Sequence, residues 1–315
     1  MSPQLFDEWL KSCLADESIR AKSLLVTILG DSVAPHGGEI WLGSLIELLA
    51  PFGVNERLVR TSVYRLAHEG WLEITRSGRR SRYAVSAAGR RRIEHANRRI
   101  YGEPTEQWDG TWTLVLADSG SWTSTQRADL KRDLLWEGFA ALAPGLYGHP
   151  SAASDSLLEI LDTLDARSRV VVLESRAVPL AGGLTDAQLV RNNWPLRSLA
   201  ERYEAFCFRF APFLDGAAAA LDPARAFQLC TLLIHGYRRV VLRDPQLPSR
   251  LLPQNWPGHR AFVECAMIYS QAAEQAEVHF GESLADPLTP AAQAFQIRKR
   301  RFHAASHLPA QTDPA

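Results

Sequence analysis

Apolar positions near the N-terminus recur at helical spacing in three short runs, and the third run leaves a polar face uncovered. Leu24, Leu25, Ile28 and Leu29 mark a buried face within Ile19 to Gly30, and the Gly-, Pro- and His-containing stretch Asp31 to Gly38 ends that helix. A second amphipathic helix is expected from about Leu42 to Ala50, broken by Pro51-Phe52-Gly53. Asn55 then suits an N-cap, because its side-chain oxygen can accept a bond from an orphan amide. A turn of about 100° per residue gathers Leu58, Val59, Val63, Leu66 and Ala67 on one side of the third helix. Arg57, Thr61, Tyr64 and His68 fall on the other side, flanked by Arg60 and Arg65. Gly70 stops this helix, and Trp71 to Thr75 and Arg82 to Ser86 read as strands joined by a turn over Arg76 to Ser81. Helix, tight turn, helix and basic-tipped hairpin predict a winged helix-turn-helix. Its third helix would enter a major groove while the hairpin lies along phosphates or the adjacent minor groove.

Farther along, the period changes. Ala87 to Ile100 reads as an Arg-rich helix, a rigid arm leading from the head, and Gly102 to Gly110 as a boundary. Thr111 to Ala117 alternates as a strand, Thr123 to Glu137 is helical, and Phe139 to Tyr147 is extended. Ser154 to Leu164 is again helical and Arg169 to Leu173 a buried strand. This order predicts a small ferredoxin-like α/β sandwich, too short for a doubly wound nucleotide fold. Beyond Gly182-Gly183 come helices over Thr185 to Asn192, Leu196 to Leu214, Pro223 to Leu242 and Pro257 to Phe280. A proline-rich loop with Leu and Trp anchors separates the last two. The expected organisation is α+β: residues 1–101 a winged helix-turn-helix with its linker helix, 102–182 the ferredoxin-like domain, and 183–315 a mostly helical domain. The last dozen residues are expected to be disordered.

Charge sharpens this picture. The 315 residues carry 35 basic and 35 acidic side chains, yet the stretch from Val54 to Tyr101 holds twelve arginines and four acids. No lysine occurs there, and arginine is the residue suited to bidentate recognition of phosphate and guanine. Arg57, Thr61 and Tyr64 are therefore the candidate base readers, with Arg60 and Arg65 toward phosphates unless they pair with Glu56 or Glu69. Arg79, Arg80 and Arg82 would add phosphate contacts from the hairpin. Four scattered cysteines, Cys13, Cys207, Cys230 and Cys265, form no C-x-x-C pair, so neither a metal site nor a disulfide framework is expected. No membrane span or leader segment is expected, and the chain shows no G-x-G-x-x-G, Walker or G-x-S-x-G motif. A cytoplasmic, non-enzymatic protein without cofactor is expected.

Two groups of residues resemble a known family. Phe52-Gly53, Val59-Arg60, Arg65-Leu66, Glu69-Gly70-Trp71-Leu72, Gly78-Arg79, Ser81, Tyr83 and Gly89 are similar to the N-terminal domain of PaaX-type repressors. His235-Gly236-Tyr237-Arg238-Arg239, Arg243-Asp244-Pro245, Leu247-Pro248, Leu252-Pro253 and Trp256-Pro257-Gly258 resemble that family's C-terminal domain. The resemblance implies a dimeric repressor of phenylacetic acid catabolism, released from operator DNA by phenylacetyl-CoA, with a middle domain similar to Cas2 proteins. A CoA thioester needs cations, an aromatic surface and an apolar slot. His235, Tyr237, Arg238, Arg239, Arg243 and Trp256 are candidates to supply them, the alternative being helix capping and packing. Two other readings stay open: a Cas2-like metal-dependent nuclease using Asp118, which is otherwise a turn residue, and an effector-independent DNA binder.

Overall fold

The computed structural model describes residues 2–15, 20–78, 80–102, 108–117, 120, 122–151, 154–284 and 301–302. The chain opens with α1 (Pro3–Leu14) and α2 (Ala21–Ile28), which runs on through a π-helical turn and a 3-10 turn to His36. Then come β1 (Glu39–Trp41), α3 (Leu42–Leu49), α4 (Glu56–His68), β2 (Leu72–Ser77), β3 (Arg80–Val85) and α5 (Ala87–Tyr101). The middle of the chain holds β4 (Thr111–Ala117), α6 (Ser124–Trp136), β5 (Ala140–Ala143), β6 (Leu146–His149), α7 (Ser154–Thr163) and β7 (Val170–Arg176). Four helices follow: α8 (Asp186–Asn193), α9 (Leu196–Phe210), α10 (Pro223–Val241) and α11 (Pro257–Glu282).

Residues 1–103, 205–242 and 260–315 cluster into one compact unit, and residues 104–204 and 243–259 into another. The sequence segment 183–315 is therefore divided between the two units, while 1–101 belongs to the first. In the first unit, aromatic side chains bring distant segments together: Trp9 packs against Phe210 and Phe213, and Phe227 against Phe52 and Phe280. Polar groups are buried with partners. Asp31, 3% exposed, accepts from Tyr101 Oη at 2.6 Å and Tyr269 Oη at 2.9 Å, and pairs with Arg301 at 2.5 Å. His36 meets Glu277 at 2.5 Å, both buried. Helix α5 is not a free arm, since Ile93, Arg99 and Ile100 are buried.

The small sheet of this unit has the order β1-β3-β2 and is antiparallel throughout. Strand β1 is absent from the sequence reading because three residues are too few to establish a period. The hairpin strands reach closer to the tip than expected: Ser77 pairs with Arg80, leaving a two-residue turn that Gly78 enters at φ +60°.

In the second unit the antiparallel order is β5-β6-β4-β7, the ferredoxin-like βαββαβ arrangement. The sequence reading counted three strands here. Phe139 to Tyr147 splits into β5 and β6 because Gly145, at φ +75°, turns the chain back on itself. Alternation along β4 serves two cores. Val115 faces a cluster with Trp122, Leu130, Leu134, Phe139, Leu157 and Leu161, while Trp112 faces another with Ala140, Val190, Trp194, Leu247 and Leu251. The segment 243–259 thus helps to cover the second face of this sheet. Strand β7 is an edge strand, and the expectation that it is buried is corrected: Val171, Val172 and Leu173 are exposed. The expected disordered tail lies outside the described residues.

Candidate nucleic-acid interface

Helix α4 is set by local signals. Gly53 takes φ +73° to break from the preceding 3-10 turn, and the Asn55 side chain accepts from Leu58 N at 3.0 Å. Val59, Ser62, Val63 and Leu66 form its buried arc, the i, i+3, i+4, i+7 set. Leu58, assigned to that arc from sequence, is 46% exposed, because it sits at the arc's margin; Ser62 takes the inner place instead.

Arg57, Arg60, Thr61, Tyr64, Arg65 and His68 all face solvent, and Tyr64 is 67% exposed. The Thr61 hydroxyl donates to Arg57 O at 2.8 Å, which fixes its rotamer. Arg60 pairs with Glu56 at 2.6 Å, whereas Glu69 pairs with Lys22 rather than with Arg65. Arg57 and Arg65 have no ion-pair partner among the described residues.

The hairpin sorts its arginines. Arg80 is exposed at the tip, as is Arg76, which the sequence reading did not single out; Arg79 lies outside the described residues. Arg82 is half-buried, its guanidinium 5.1 Å from the Trp41 ring centre and 3.1 Å from Glu39. It braces β3 against β1, a second role beside the expected phosphate contact. Arg92 likewise stacks on Trp71 and donates to Glu69 O. The positive stretch is therefore part framework and part open surface. Burial raises the Tyr83 phenol pKa, and the charges of Arg60 and Arg76 both pull it back. A helix cation and a hairpin cation thus both act on the Tyr83 phenol.

The six effector candidates divide between the two units. His235 and Tyr237 are each 2% exposed: His235 Nδ1 lies 3.1 Å from Thr27 Oγ1, and Tyr237 packs on Phe206. Arg238 donates to Ser23 O at 3.0 Å and to Thr27 Oγ1, and burial lowers its pKa. With half-buried Arg239 on the same helix, these belong to the first unit, so His235 and Tyr237 are corrected to core residues. Arg243 and Trp256 belong to the second unit, where Trp256 packs on Tyr203 and Arg243 is exposed. Asp118 lies outside the described residues, and among those described no cluster of three His, Cys, Asp or Glu could hold a metal ion. Nor is any described helix long and apolar enough to cross a membrane.

An exposed arginine-bearing helix beside a basic hairpin, on a chain that also carries a ferredoxin-like domain, defines the class of a DNA-binding regulator. Residues 20–89 match the model of the PaaX-like protein, 105–190 that of the PaaX protein central Cas2-like domain, and 194–282 that of the PaaX-like protein C-terminal domain. A relative from Escherichia coli (strain K12), "Transcriptional repressor PaaX", is 42% identical over 276 residues, 86% of each chain. The chain belongs to the PaaX family of transcriptional repressors. A solved structure, the uncharacterized protein Rv0674 from Mycobacterium tuberculosis, has a TM-score of 0.55 at 24% identity, covering 84% of this chain and 99% of that one. At that identity the likeness speaks for the fold alone.

Proposed function

We propose that the protein is a cytoplasmic, homodimeric repressor of a phenylacetate catabolic operon, released from its operator by an aryl-CoA thioester such as phenylacetyl-CoA. The observation that carries the DNA-binding part is the outward face of α4, where Arg57, Thr61 and Tyr64 stand together without competing ion pairs. Read as a winged helix-turn-helix, the N-terminal unit puts α4 in the major groove and the β2–β3 hairpin on the backbone. Arg57 would read guanine, and Arg65, Arg79 and Arg80 would serve phosphates, while Arg60 is paired with Glu56. Two copies would match the two halves of an approximate palindrome. Exposed Val171, Val172 and Leu173 on edge strand β7 give such a dimer an apolar surface to cover.

The thioester follows from the family resemblance. Release requires only that it bind the DNA-free arrangement more tightly than the bound one, since equal affinity shifts nothing. Fluorescence anisotropy on DNA from upstream of the gene, titrated with phenylacetyl-CoA, phenylacetate and CoA, tests the reading. Release by the thioester alone is expected. Specific binding indifferent to all three would overturn the effector and leave the repressor.

A further inference from the structure

A cleft of about 310 Å³ lies wholly within the second unit, between the end of α6 with the start of β5 and the start of α9. Leu135, Phe139, Ala140, Trp194, Leu196 and Leu199 give it apolar walls. Two exposed cations, Arg202 and Arg243, also line it, and neither has an ion-pair partner among the described residues. No carboxylate lines it.

Its frame is fixed by buried contacts. Trp194 Nε1 donates to Gly138 O at 2.8 Å, holding the indole in place. His149 Nε2 lies 2.8 Å from Pro245 O, so that nitrogen carries the proton, and its Nδ1 accepts from Ser151 N at 3.0 Å. Gly138 takes φ +101°, and a Cβ there would come within 2.8 Å of Pro245 O, so the two backbones can meet only at a glycine. Asp244 is held by Tyr203 Oη at 2.7 Å and by Gln246 N at 2.6 Å, which ties down the residue next to Arg243. Pro195 and Ser198 add the amide end of α9, a positive end of a helix, to the same opening.

An apolar slot with two uncommitted guanidinium groups selects a ligand with a compact apolar body and a negative end. The volume is at the small end of the range of about 300–1,000 Å³ for small-molecule pockets, enough for an aryl-acyl unit and not for a whole coenzyme. We propose that this cleft binds the aryl-acyl part of an anionic ligand, its ring against Trp194 and its charge on Arg202 and Arg243. That charge is the carboxylate of the free acid, since the phosphates of its coenzyme A thioester are a whole pantetheine arm away from the ring and a cleft of this size does not enclose both. The proposal rests on the aryl-metabolite reading above and locates its site. It keeps Arg243 as a ligand residue and replaces the rest of the sequence-derived set with Arg202 and Trp194.

The test is isothermal titration of the full-length protein with phenylacetate and, separately, phenylacetyl-CoA. It is repeated on the double variant Arg202→Gln/Arg243→Gln and on Ser198→Trp, which places an indole in the opening. The altered side chains are exposed, and a melting curve of each variant checks its fold. Phenylacetate is expected to bind the native protein. Affinity should fall about tenfold or more on losing the charge-assisted bonds, and by a similar factor on blocking the opening. Binding of the free acid identifies the carboxylate as the anion, and binding of the thioester alone overturns the site as drawn. Unchanged affinity in both folded variants, or no binding of either probe to the native protein, overturns the site. Operator release is read separately on the native protein and on both variants. A ligand that binds in the cleft yet leaves DNA bound sinks the release reading and keeps the site, whereas release that persists in both variants does the reverse.

Discussion

Arg65 and Arg82 carry the same charge in the same arginine-rich stretch, and their surroundings give them different roles. Arg65 is exposed and unclaimed because Glu69 is taken by Lys22, while Arg82 is spent on Trp41 and Glu39. Arg65→Ala should therefore weaken binding to all DNA sequences alike and reduce the slope of log affinity against log salt by about 1. Arg82→Ala should reduce that slope less and lower hairpin stability as well, as read by the salt titration together with thermal melts. The sequence showed the charge run but not this division, because a partner from another strand has no signature in spacing. The cysteines follow the same logic of surroundings. Burial is the main cause that pushes the Cys207 thiol up to about 12, and it raises Cys265 well above the usual range. The neutral form is thus favoured in the fold. The stability contribution is complete below about pH 9 and is lost as pH rises from there toward about 12, because the unfolded thiol ionises first. A disulfide reagent at neutral pH should label the native protein only as fast as it opens. Rapid labelling of a cysteine in the intact fold would contradict this.

At the scale of elements, α4 was legible because a long amphipathic period, an N-cap and a terminal glycine agree. Strand β1 and the break between β5 and β6 were not, since one is three residues long and the other depends on a glycine within an otherwise extended run. The division of the effector candidates between the units was hidden for a related reason. His235, Tyr237 and Arg238 are near Arg243 in sequence, but a long buried helix carries the first three into the first unit while Arg243 starts a segment of the second. Arg202 and Trp194, which share the cleft with Arg243, come from a different part of the chain and no local motif joins them. The capping of α4 gives a direct check on how its start is held. Asn55→Ala removes the acceptor for Leu58 N and should cost about 0.5–2 kcal/mol, measured by urea unfolding. It should lower DNA affinity too, as the first turn carrying Arg57 frays.

Across the whole molecule, the N-terminal and C-terminal stretches of sequence share one core in the first unit, with buried polar groups at their junction. Asp31, on the turn after α2, is held by Tyr101, Tyr269 and Arg301 from three other segments. Removing one partner of a buried ion pair leaves the other charge uncompensated, so Asp31→Ala should cost about 3–5 kcal/mol. A fall of that size in the unfolding free energy is expected, and a change below about 1 kcal/mol, the scale of an exposed pair, would mean the network is solvated. The domain order along the chain was readable from changes of period and from the two groups of family-like residues. The sharing of cores was not, because such contacts join residues hundreds of positions apart.

The central claim is that the outer face of α4 reads DNA sequence, and the measurement that bears on it most directly is the specificity ratio of Arg57→Ala against the native protein. Anisotropy titrations on upstream DNA and on a random duplex of equal length, at one salt concentration, give that ratio. The account predicts a native ratio well above unity, reduced by about 1–3 kcal/mol in the variant through loss of affinity for the upstream site. An unchanged ratio, or an equal loss on both duplexes, would make Arg57 a phosphate contact at most and contradict the claim.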